Sequence, residues 1–341
     1  MKQIRLGLIG FGNVGQGLAQ ILLDYGSDYR ASHDVQFIIT AVADRILGCM
    51  ADTQGLNLNL LLDKAAKDKS FKGLAQEKPD WDALRMIRES STDVIVEMSY
   101  TDLKTGEPAT THIREALKLK KHVVTTNKGP VALHYDELEK LALQNGVKLE
   151  VEGTVMSGTP TLHLGRDLLA GAKIRSIKGI LNGTTNFILT KMENGDTYEA
   201  ALAEAQALGY AEADPSGDVE GFDAAGKVVI MARLLMNETI RMEDVNRSGI
   251  THLKPEDIAS ARAAGERWKL IGTLLREDDG KLAASVKVER LPLNHPLAGV
   301  SGATNAVHFT TDLLGEVTLI GPGAGRLPTG YAVIEDLLSI L

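Results

Sequence analysis

Cysteine, long apolar runs and clusters of basic residues are scarce or missing in this sequence, and each absence excludes a class of protein. The single cysteine, Cys49, permits no intrachain disulfide. No apolar run approaches the length of a membrane span, and glycines interrupt the N-terminal segment before the apolar core of a signal peptide is complete. We therefore expect a cytoplasmic protein with no membrane partner.

The charge balance excludes two further classes. The net charge is -8, and no run of lysine or arginine supplies the positive surface that a nucleic-acid backbone requires. The eight histidines are scattered without the HExxH spacing of a zinc site, so nothing indicates a transition metal. With 341 residues, of which 44% are hydrophobic, the chain is long enough for two domains, and we expect its partner to be a small-molecule substrate.

A glycine pattern near the N-terminus predicts a dinucleotide-binding turn. The apolar segment IRLGLI, residues 4–9, is typical of a buried strand, and a helical pattern follows it. Between them lies GxGxxG, in which the first glycine permits the tight turn, the second lets a pyrophosphate approach and the third lets the helix pack on the strand. The free N–H groups of the helix N-terminus favour phosphate. A glycine-rich turn without a ligand is the alternative. The predicted cofactor contacts here are Gly10, Phe11, Gly12, Asn13, Val14 and Gly15.

The second predicted strand bears on which nicotinamide cofactor is used. VQFIITAVADR, residues 35–45, delivers Asp44 and Arg45 to the place where the adenine ribose should lie. An acid suits the 2′-hydroxyl of NAD, whereas an arginine suits the 2′-phosphate of NADP. The two residues therefore leave NAD and NADP both open, and a surface ion pair between them is the alternative interpretation.

Strands and helices then alternate with short connections from residue 79 to residue 155, after a segment, 46–78, to which we assign no structure. This alternation predicts a doubly wound parallel sheet, and therefore an α/β Rossmann-type domain over residues 1–150. One predicted helix covers residues 79–91, with Pro79 and Asp80 in its first turn. Because ligands lie beyond the carboxyl ends of such strands, the cofactor should meet the residues that follow two of them: Ser99, Tyr100, Asn127 and Lys128.

From Val151 the sequence changes in character and predicts a second, α+β domain over residues 151–320, with a mixed or antiparallel sheet. We expect this domain to bind the substrate, to carry catalysis and to form a dimer. The C-terminal segment 321–341 should return to the first domain and bring Gly323 and Gly325 near the cofactor. AKIRSIKGIL and LAASVKVERL predict strands of a sheet with an exposed edge, and paired edges across a two-fold axis would give a homodimer.

The stretch YAEADPSGDVEGFDAAGK, Tyr210 to Lys227, places five carboxylates and three glycines in eighteen residues. Proline and glycine predict a turn-rich path without regular helix before the helix that contains Lys227. Apolar neighbours desolvate that lysine, which lowers its pKa unless Asp218 and Asp223 hold the proton on. Such a group is suited to protonate a substrate oxygen. A solvated loop is the alternative, and a calcium loop is disfavoured because the spacing is not that of an EF-hand.

This stretch and the helix before it resemble the signature of homoserine dehydrogenases. That signature is an alanine, three residues, a glycine, a spacer, DP, two residues, D, then GxD and, after three more residues, K. GFGNVG, TTNKGP, EGTVMSGTP, LNGTTNFILTKM and GPGAG are similar to other segments of that family in the same order, so the likeness spans nearly the whole chain. The matching signature positions are Ala205, Gly209, Asp214, Pro215, Asp218, Gly221, Asp223 and Lys227.

The resemblance implies the interconversion of aspartate 4-semialdehyde and homoserine with NAD or NADP, an oxidoreductase step of threonine and methionine biosynthesis. By position, Lys227 would donate the proton to the carbonyl oxygen, and Lys128 would be a second catalytic lysine at the cofactor edge. The other implied site residues are Glu212 for the substrate ammonium group, Asp218 and Asp223 for orienting the substrate and the lysine, and Gly209 and Tyr210 where substrate and cofactor meet.

The resemblance also implies a sodium ion, held by Glu152 and the carbonyl groups of Val155, Ser157 and Thr159; a sharp turn without an ion is the alternative. Arg45 tilts the expectation slightly towards NADP. We also expect no regulatory domain after the core and no aspartate kinase before it, and therefore no feedback inhibition by threonine.

Two other interpretations stay open. The chain would act as another NAD(P)-dependent oxidoreductase on a small amino or hydroxy acid if the substrate contacts differ. It would act as a nucleotide-binding sensor if there is no turnover, although a sensor has no use for two lysines in the cleft.

Overall fold

Two six-stranded sheets order the chain, one in each of two compact units. The computed structural model describes residues 1–341 without a gap. The first unit comprises Met1–Gly158 and Gly325–Leu341, and the second comprises Thr159–Ala324. Residues 151–158 therefore lie in the first unit, and residues 321–324 lie in the second.

The sheet of the first unit is the doubly wound, Rossmann-type sheet that the sequence predicts. Its order is β3-β2-β1-β4-β5-β6, and every neighbouring pair is parallel except β2 and β3. The central strand β4 is buried along its whole length, as expected of a parallel strand covered on both faces. The strands are β1 (Lys2–Ile9), β2 (Val35–Asp44), β3 (Gly48–Ala51), β4 (Val94–Glu97), β5 (His122–Thr125) and β6 (Leu149–Glu150).

Helices connect these strands and cover the sheet. The segment 46–78, which the sequence left unassigned, contains β3 and α2. Helix α3 begins at Ala83 and not in the predicted turn of Pro79 and Asp80, because the Asp82 carboxylate accepts the Arg85 N–H at 2.7 Å and caps the helix there. No helix of the protein is both long and apolar enough to cross a membrane. The helices are α1 (Asn13–His33), α2 (Leu58–Lys67), α3 (Ala83–Glu89), α4 (Ala109–Lys118) and α5 (Lys128–Asn145).

The second unit contains the mixed sheet that the sequence predicts, in the order β12-β11-β7-β9-β10-β8. Its pairs are antiparallel except that β8 runs parallel to β10. The strands are β7 (Ile174–Ile180), β8 (Asn246–Arg247), β9 (Glu266–Arg276), β10 (Leu282–Pro292), β11 (Thr304–Thr311) and β12 (Glu316–Pro322). The helices are α6 (Thr161–His163), α7 (Gly183–Glu193), α8 (Tyr198–Ala207), α9 (Ser216–Val219), α10 (Phe222–Met236) and α11 (Pro255–Ala263).

The two segments predicted to be strands of a second sheet are both strands of it, and both lie in its interior. AKIRSIKGIL contains β7, which lies between β11 and β9, and LAASVKVERL contains β10, which lies between β9 and β8. The free edges belong to β12 and to the two-residue strand β8. Strand propensity alone does not reveal which strand is at the edge, because that depends on the pairing of distant segments.

Helix α10 is buried on nearly every side, and this burial determines the setting of Lys227. Residues 224–232 are all buried. A Cβ on Gly272 of β9 would lie 2.8 Å from a methyl group of Val228, so the glycine lets the helix approach the sheet closely. A helix that is apolar all round forms part of a core, and this one carries a lysine into it.

The final helix, α12 (Arg326–Ser339), returns to the first unit as expected. It packs on α1 at backbone distance, since a Cβ on Gly17 would lie 2.1 Å from the Arg326 carbonyl oxygen and one on Gly330 would lie 2.7 Å from the Leu18 nitrogen. Val333 and other apolar residues of α12 complete the core beneath the glycine-rich turn.

Candidate active site

The glycine-rich turn of the first unit has the geometry that a dinucleotide pyrophosphate requires. Gly10 has φ +91°, and a Cβ there would lie 2.6 Å from the Met98 carbonyl oxygen. A Cβ on Gly15 would lie 2.7 Å from the Gly10 carbonyl oxygen. Gly12, by contrast, has no neighbouring atom within 4 Å of such a Cβ, and no side chain caps α1 at this point. The start of α1 is therefore open to a ligand, and the turn fits the phosphates of a nicotinamide dinucleotide.

The other residues of the turn face in different directions. The Phe11 ring is fully buried and packs edge-on against Phe71, with 5.9 Å between the ring centroids. Val14 packs against the same core, whereas Asn13 is exposed. Only Asn13 among these predicted contacts offers a polar side chain, so the turn presents mainly backbone to a ligand.

Asp44 has a structural role that its position in the sequence did not show. One carboxylate oxygen accepts the Phe11 N–H at 2.8 Å, and the other accepts the N–H groups of Ile46 and Leu47 at 2.8 and 2.9 Å. The carboxylate thus ties the end of β2 to the glycine-rich turn. Arg45 is exposed, and it is not paired with Asp44, so the surface ion pair considered above does not form.

The residues after β4 and β5 meet at the carboxyl edge of the sheet, as predicted. The Asn127 amide group donates to the carbonyl oxygens of Ser99 and Tyr100 at 3.2 and 3.0 Å. Its side-chain oxygen accepts the Gly129 N–H at 3.1 Å and so caps α5, of which Lys128 is the first residue. Asn127 therefore joins the two segments that are predicted to face the cofactor.

A buried carboxylate beneath this edge escaped the sequence analysis. Glu97, the last residue of β4, is fully buried. One of its oxygens accepts the Ser99 N–H at 3.3 Å and the Ser99 hydroxyl, and lies 3.4 Å from Nδ1 of His112. The other oxygen has no hydrogen-bond partner. The available signal was an acid inside the apolar run DVIVEM.

In the second unit, Lys227 is the centre of a buried polar cluster. Its Nζ donates to the Leu181 carbonyl oxygen at 2.6 Å and to the Asp223 carboxylate at 2.7 Å. The Asn182 amide group donates to Asp218 at 2.6 Å and to Asp223 at 3.1 Å, and so bridges the two acids. The structure therefore brings together the three charged residues singled out in the sequence. It adds Asn182, which lies in the LNGTTN segment but was given no role there.

The two acids of the cluster differ in electrostatic setting. Burial raises the pKa of the Asp218 carboxyl group, and the negative charge of Asp223 raises it further. Hydrogen bonding from Asn182 and the positive charge of Lys227 act in the opposite direction. Asp223 is the direct ion-pair partner of the lysine, whereas Asp218 is held one hydrogen bond further away.

The remaining acids of the stretch face solvent. Glu212 is exposed, and its carbonyl oxygen rather than its carboxylate accepts the Gln206 side chain, at 3.0 Å. The Ser216 hydroxyl and then the Ser216 N–H, which lies 3.1 Å from Asp214, favour the charged form of that carboxyl group and lower its pKa. Glu220 is exposed. Two of the five acids thus belong to the lysine cluster, and the structure does not bring Glu212 into it.

Gly209 and Tyr210 form the entry to this stretch. Gly209 has φ +75° and ends the turn after α8. The Tyr210 ring is 46% exposed and meets Phe187 edge-on at 5.2 Å, while its carbonyl oxygen accepts the Thr184 hydroxyl at 2.6 Å. The stretch is not wholly irregular as predicted, because residues 216–219 form the single helical turn α9.

The segment after β6 turns sharply at two residues that are not glycine. Glu152 begins a short 3₁₀ helix, is 1% exposed, and donates its N–H to Asp336 at 3.0 Å. Met156 and Ser157 both have φ +57°, a left-handed conformation that non-glycine residues adopt at a cost. Val155, like Ser157, is buried. A buried carboxylate beside a strained turn fits a hard cation that prefers oxygen ligands.

The two ends of the second unit are also tightly packed. The Thr159 carbonyl oxygen accepts both the N–H and the hydroxyl of Thr161, at 2.7 and 3.0 Å. Gly323 lies against the side chain of Asn305, since a Cβ on that glycine would be 2.1 Å from the Asn305 Cγ. Asn305 is fully buried, and neither polar atom of its side chain has a partner. Gly325, with φ +130°, belongs to the first unit and precedes α12.

A Rossmann unit with an open glycine-rich turn, in one chain with a buried lysine paired with a carboxylate, is typical of the class of NAD(P)-dependent oxidoreductases. The family model described as homoserine dehydrogenase matches residues 160–338, and the one described as homoserine dehydrogenase, NAD binding domain, matches residues 10–152. The chain belongs to the homoserine dehydrogenase family, as the sequence resemblance implied.

Individual relatives agree over the full length of the chain. The NAD(+)-dependent homoserine dehydrogenase of Pseudomonas canavaninivorans is 45% identical over 100% of this chain and 97% of its own. The homoserine dehydrogenase of Methanocaldococcus jannaschii is 41% identical over 98% of this chain and 97% of its own. A hyperthermophilic archaeal homoserine dehydrogenase mutant, solved in complex with NADPH, is 31% identical with a TM-score of 0.85, over 99% of this chain and 97% of its own.

Proposed function

We propose that this protein interconverts aspartate 4-semialdehyde and homoserine with a nicotinamide cofactor, the first unit binding the cofactor and the second binding the substrate. Membership of the homoserine dehydrogenase family supports the proposal. The observation that carries it is the buried Lys227, whose Nζ is 2.7 Å from the Asp223 carboxylate. A charged proton donor in a dry setting is what reduction of an aldehyde to an alcohol requires.

A nicotinamide cofactor held at the glycine-rich turn Gly10–Gly15 would supply the hydride-transfer chemistry, and the residues of this chain supply the proton transfer and the orientation. Lys227 holds a proton at Nζ and delivers it to the substrate oxygen as the aldehyde becomes an alcohol. Asp223 accepts one proton of that ammonium group in a hydrogen bond at 2.7 Å, and the Leu181 carbonyl oxygen at 2.6 Å accepts a second of its three protons. One proton of the ammonium group is left for the substrate. In the reverse direction the same lysine accepts the alcohol proton.

The substrate is an amino acid, so its ammonium and carboxylate groups also need partners. Glu212 supplies an exposed carboxylate for the ammonium group, although it lies outside the lysine cluster in this structure. Asp218 orients the substrate from within the cluster. Lys128, at the start of α5 in the first unit, is proposed as the second catalytic lysine, and Gly209 and Tyr210 of the second unit are proposed as contacts of the bound molecules.

We also propose that both NADP and NAD are used, with a modest preference for NADP. Three backbone N–H groups already bind the Asp44 carboxylate, which disperses its charge and weakens its repulsion of a 2′-phosphate. The exposed Arg45 next to it is placed to bind that phosphate.

A sodium ion at Glu152 with the Val155, Ser157 and Thr159 carbonyl groups is a further proposal. The burial of Glu152 and the strained turn support it, but the Thr159 carbonyl oxygen would have to release at least one of its two donors. Turnover and melting temperature that rise when sodium chloride replaces tetramethylammonium chloride, and do not rise in Glu152→Gln, would support the ion. Equal values in both salts would reject it.

We propose a homodimer that uses the edge strand β12. Ile320 on this strand is 54% exposed, and Leu313 and Leu314 in the turn before it are 78% and 62% exposed. An open, apolar edge of this kind pairs readily with a second copy. Light scattering after size exclusion should give a dimer for the wild type and a monomer for Ile320→Lys. Leu143→Lys, which changes a leucine of the first unit that is 75% exposed, should leave the dimer intact.

The experiment that tests the activity follows loss of NADPH absorbance when aspartate 4-semialdehyde is added to the purified protein. NADH and the Lys227→Ala variant are run in parallel. Turnover that collapses in the variant while the cofactor still binds supports the dehydrogenase and the role of the lysine. Absence of turnover despite nucleotide binding would reject the proposal, and a panel of other carbonyl acids would then separate a different oxidoreductase from a sensor.

A further inference from the structure

An arginine outside the lysine cluster holds the start of the helix that carries it. The guanidinium carbon of Arg247, on β8, lies 3.5 Å from the centre of the Phe222 ring. The same guanidinium group donates a hydrogen bond to the Glu220 carbonyl oxygen. Phe222 is the first residue of α10, and Asp223 follows it directly. Arg247 therefore binds the chain on both sides of the turn at Gly221.

The backbone of Arg247 is itself fixed to the sheet. Arg247 pairs with Val286 of β10, and the N–H of the next residue, Ser248, donates to the Val286 carbonyl oxygen at 2.8 Å. Ile250 donates its N–H to the Val219 carbonyl oxygen at 2.9 Å. Arg247 thus connects the backbone of the sheet to Glu220 and Phe222 of the acidic stretch.

The turn at Gly221 is held from within by backbone hydrogen bonds only, among them that from the Gly221 N–H to the Asp218 carbonyl oxygen at 2.9 Å. Gly221 has φ +82°, and no side chain caps α10 at this point. A Cβ on Gly221 would lie 3.0 Å from Val286 and 3.5 Å from Arg247, so the arginine and the sheet enclose the turn. Glycine leaves the backbone free to adopt other conformations, and a hinge at this point would move Asp223 and, one helical turn on, Lys227.

We propose that Arg247 is a positioning residue for the dehydrogenase reaction: it fixes the Gly221 turn and thereby the place of Asp223 and Lys227. This inference rests on the proposed function for its effect on turnover, but the clamp itself is a structural claim. Arg247 touches neither reacting atoms nor the lysine. Its removal should therefore lower kcat and leave cofactor binding unchanged, because catalysis is more sensitive than binding to a small displacement of the proton donor.

The test compares Arg247→Ala and Arg247→Lys with the matched control Arg290→Ala. Arg290 also lies on an aromatic ring, that of Trp268 at 5.9 Å, but on the part of β10 away from the cluster. Hydrogen exchange of the peptide 218–227, measured by mass spectrometry, reports the clamp whether or not the enzyme turns over. Steady-state kinetics with homoserine and NADPH titrations report its consequence.

For Arg247→Ala we expect exchange of that peptide to accelerate and kcat to fall about tenfold, which corresponds to about 1.4 kcal/mol of transition-state stabilisation. The cofactor Kd and the exchange of the rest of the second unit should not change. Arg247→Lys keeps a cation over the ring but loses the planar fork, so it should be intermediate. Arg290→Ala should match the wild type in both measurements.

The double variant with Phe222→Leu separates positioning from general stability. If the arginine acts through the ring and the turn, Arg247→Ala should cost less in the Phe222→Leu background than in the wild type. Additive losses, or faster exchange throughout the second unit, would overturn the inference. Unchanged exchange with full turnover would overturn it too and leave the proposed function standing. Faster exchange in a protein without turnover would support the clamp and reject the function.

Discussion

The glycine-rich turn at residues 10–15 depends on the absence of side chains, whereas the acidic stretch at residues 210–227 depends on hydrogen-bond partners from elsewhere in the chain. In the turn, a positive φ at Gly10 and the missing side chain at Gly15 allow the tight backbone, and the missing side chain at Gly12 leaves the ligand space open. In the acidic stretch, the decisive partners of Lys227 and its acids include Leu181 and Asn182, which precede the stretch by almost thirty residues.

This difference explains why the sequence predicts the glycine-rich turn in more detail than the acidic stretch. A requirement for glycine follows from local geometry, so the residue type alone indicates it. A carboxylate becomes part of a proton-donor site only when the fold buries it beside a cation, and five similar acids in one stretch do not say which will be buried. Partial burial beside Lys227 selects Asp218 and Asp223, whereas Glu212, Asp214 and Glu220 are exposed.

The largest expected effect comes from breaking the acidic stretch at its buried ion pair. Asp223→Asn removes the carboxylate 2.7 Å from Lys227 and leaves a buried ammonium group without its counter-ion. We expect kcat to fall by about 10²- to 10³-fold, in the range of general acid–base effects. The free energy of unfolding should fall by about 3 kcal/mol, as when one partner of a buried pair is removed.

Steady-state kinetics and urea denaturation measure the two effects of Asp223→Asn. Glu220→Gln is the matched control, because it changes an exposed acid of the same stretch by the same number of atoms and should leave both quantities unchanged. Equal losses in the two variants would mean that total negative charge, not burial, makes the site.

A second experiment separates two glycines of the turn. Gly12→Ala adds a methyl group where no protein atom lies within 4 Å, so folding should be unaffected while the cofactor Kd rises about 100-fold, equivalent to about 2.7 kcal/mol. Gly10→Ala should lower the free energy of unfolding by about 1–3 kcal/mol, because its φ of +91° and the nearby Met98 carbonyl oxygen both oppose a side chain.

NADPH fluorescence titration and urea denaturation of both glycine variants measure these expectations. A Gly12→Ala variant that binds NADPH as the wild type does would show that the open start of α1 is not the phosphate site.

The sequence predicted the parallel sheet, the glycine-rich turn and the buried lysine because each produces a recognisable periodicity or composition in the amino-acid sequence. It did not predict Asn182, Glu97 or Arg247 as partners, since their roles arise from contacts between segments far apart in the chain. It also missed the short hairpin strand β3. It predicted a helix start at Pro79, whereas the side-chain hydrogen bond of Asp82 begins the helix after that residue. Chain-distant contacts, rather than weak local propensity, account for most of what was missed.

The preference between the two cofactors should change less when Arg45 is replaced, because this residue is exposed and lies beside the turn. Arg45→Ala should raise the Kd for NADPH about tenfold and leave that for NADH unchanged, because only the 2′-phosphate meets the guanidinium group. Titrations with both cofactors measure the ratio. Arg30→Ala, an exposed arginine near the end of α1, serves as the control for net charge. An equal loss for both cofactors would indicate that Arg45 supports the turn and does not read the phosphate.

The smallest expected effect concerns the pH dependence of stability and is specific to the acidic stretch. Burial and the charge of Asp223 raise the pKa of Asp218 in the folded protein above its unfolded value, which is about 3.9. The folded state therefore binds this proton more tightly than the unfolded state does. The resulting stabilisation is fully present below the unfolded pKa and is lost as the pH rises through the folded one.

Asp218→Asn removes this titration. The free energy of unfolding of the variant minus that of the wild type should therefore increase as the pH rises from about 4 towards neutrality. Urea denaturation across that range measures it. Asp279→Asn is the control, because that exposed acid has a lowered pKa and its loss should produce a dependence of the opposite sign. A difference between Asp218→Asn and the wild type that does not change with pH would mean that Asp218 is solvated in the folded protein. The hydrogen bonds from Asn182 would then not hold the acidic stretch in a buried position around the lysine.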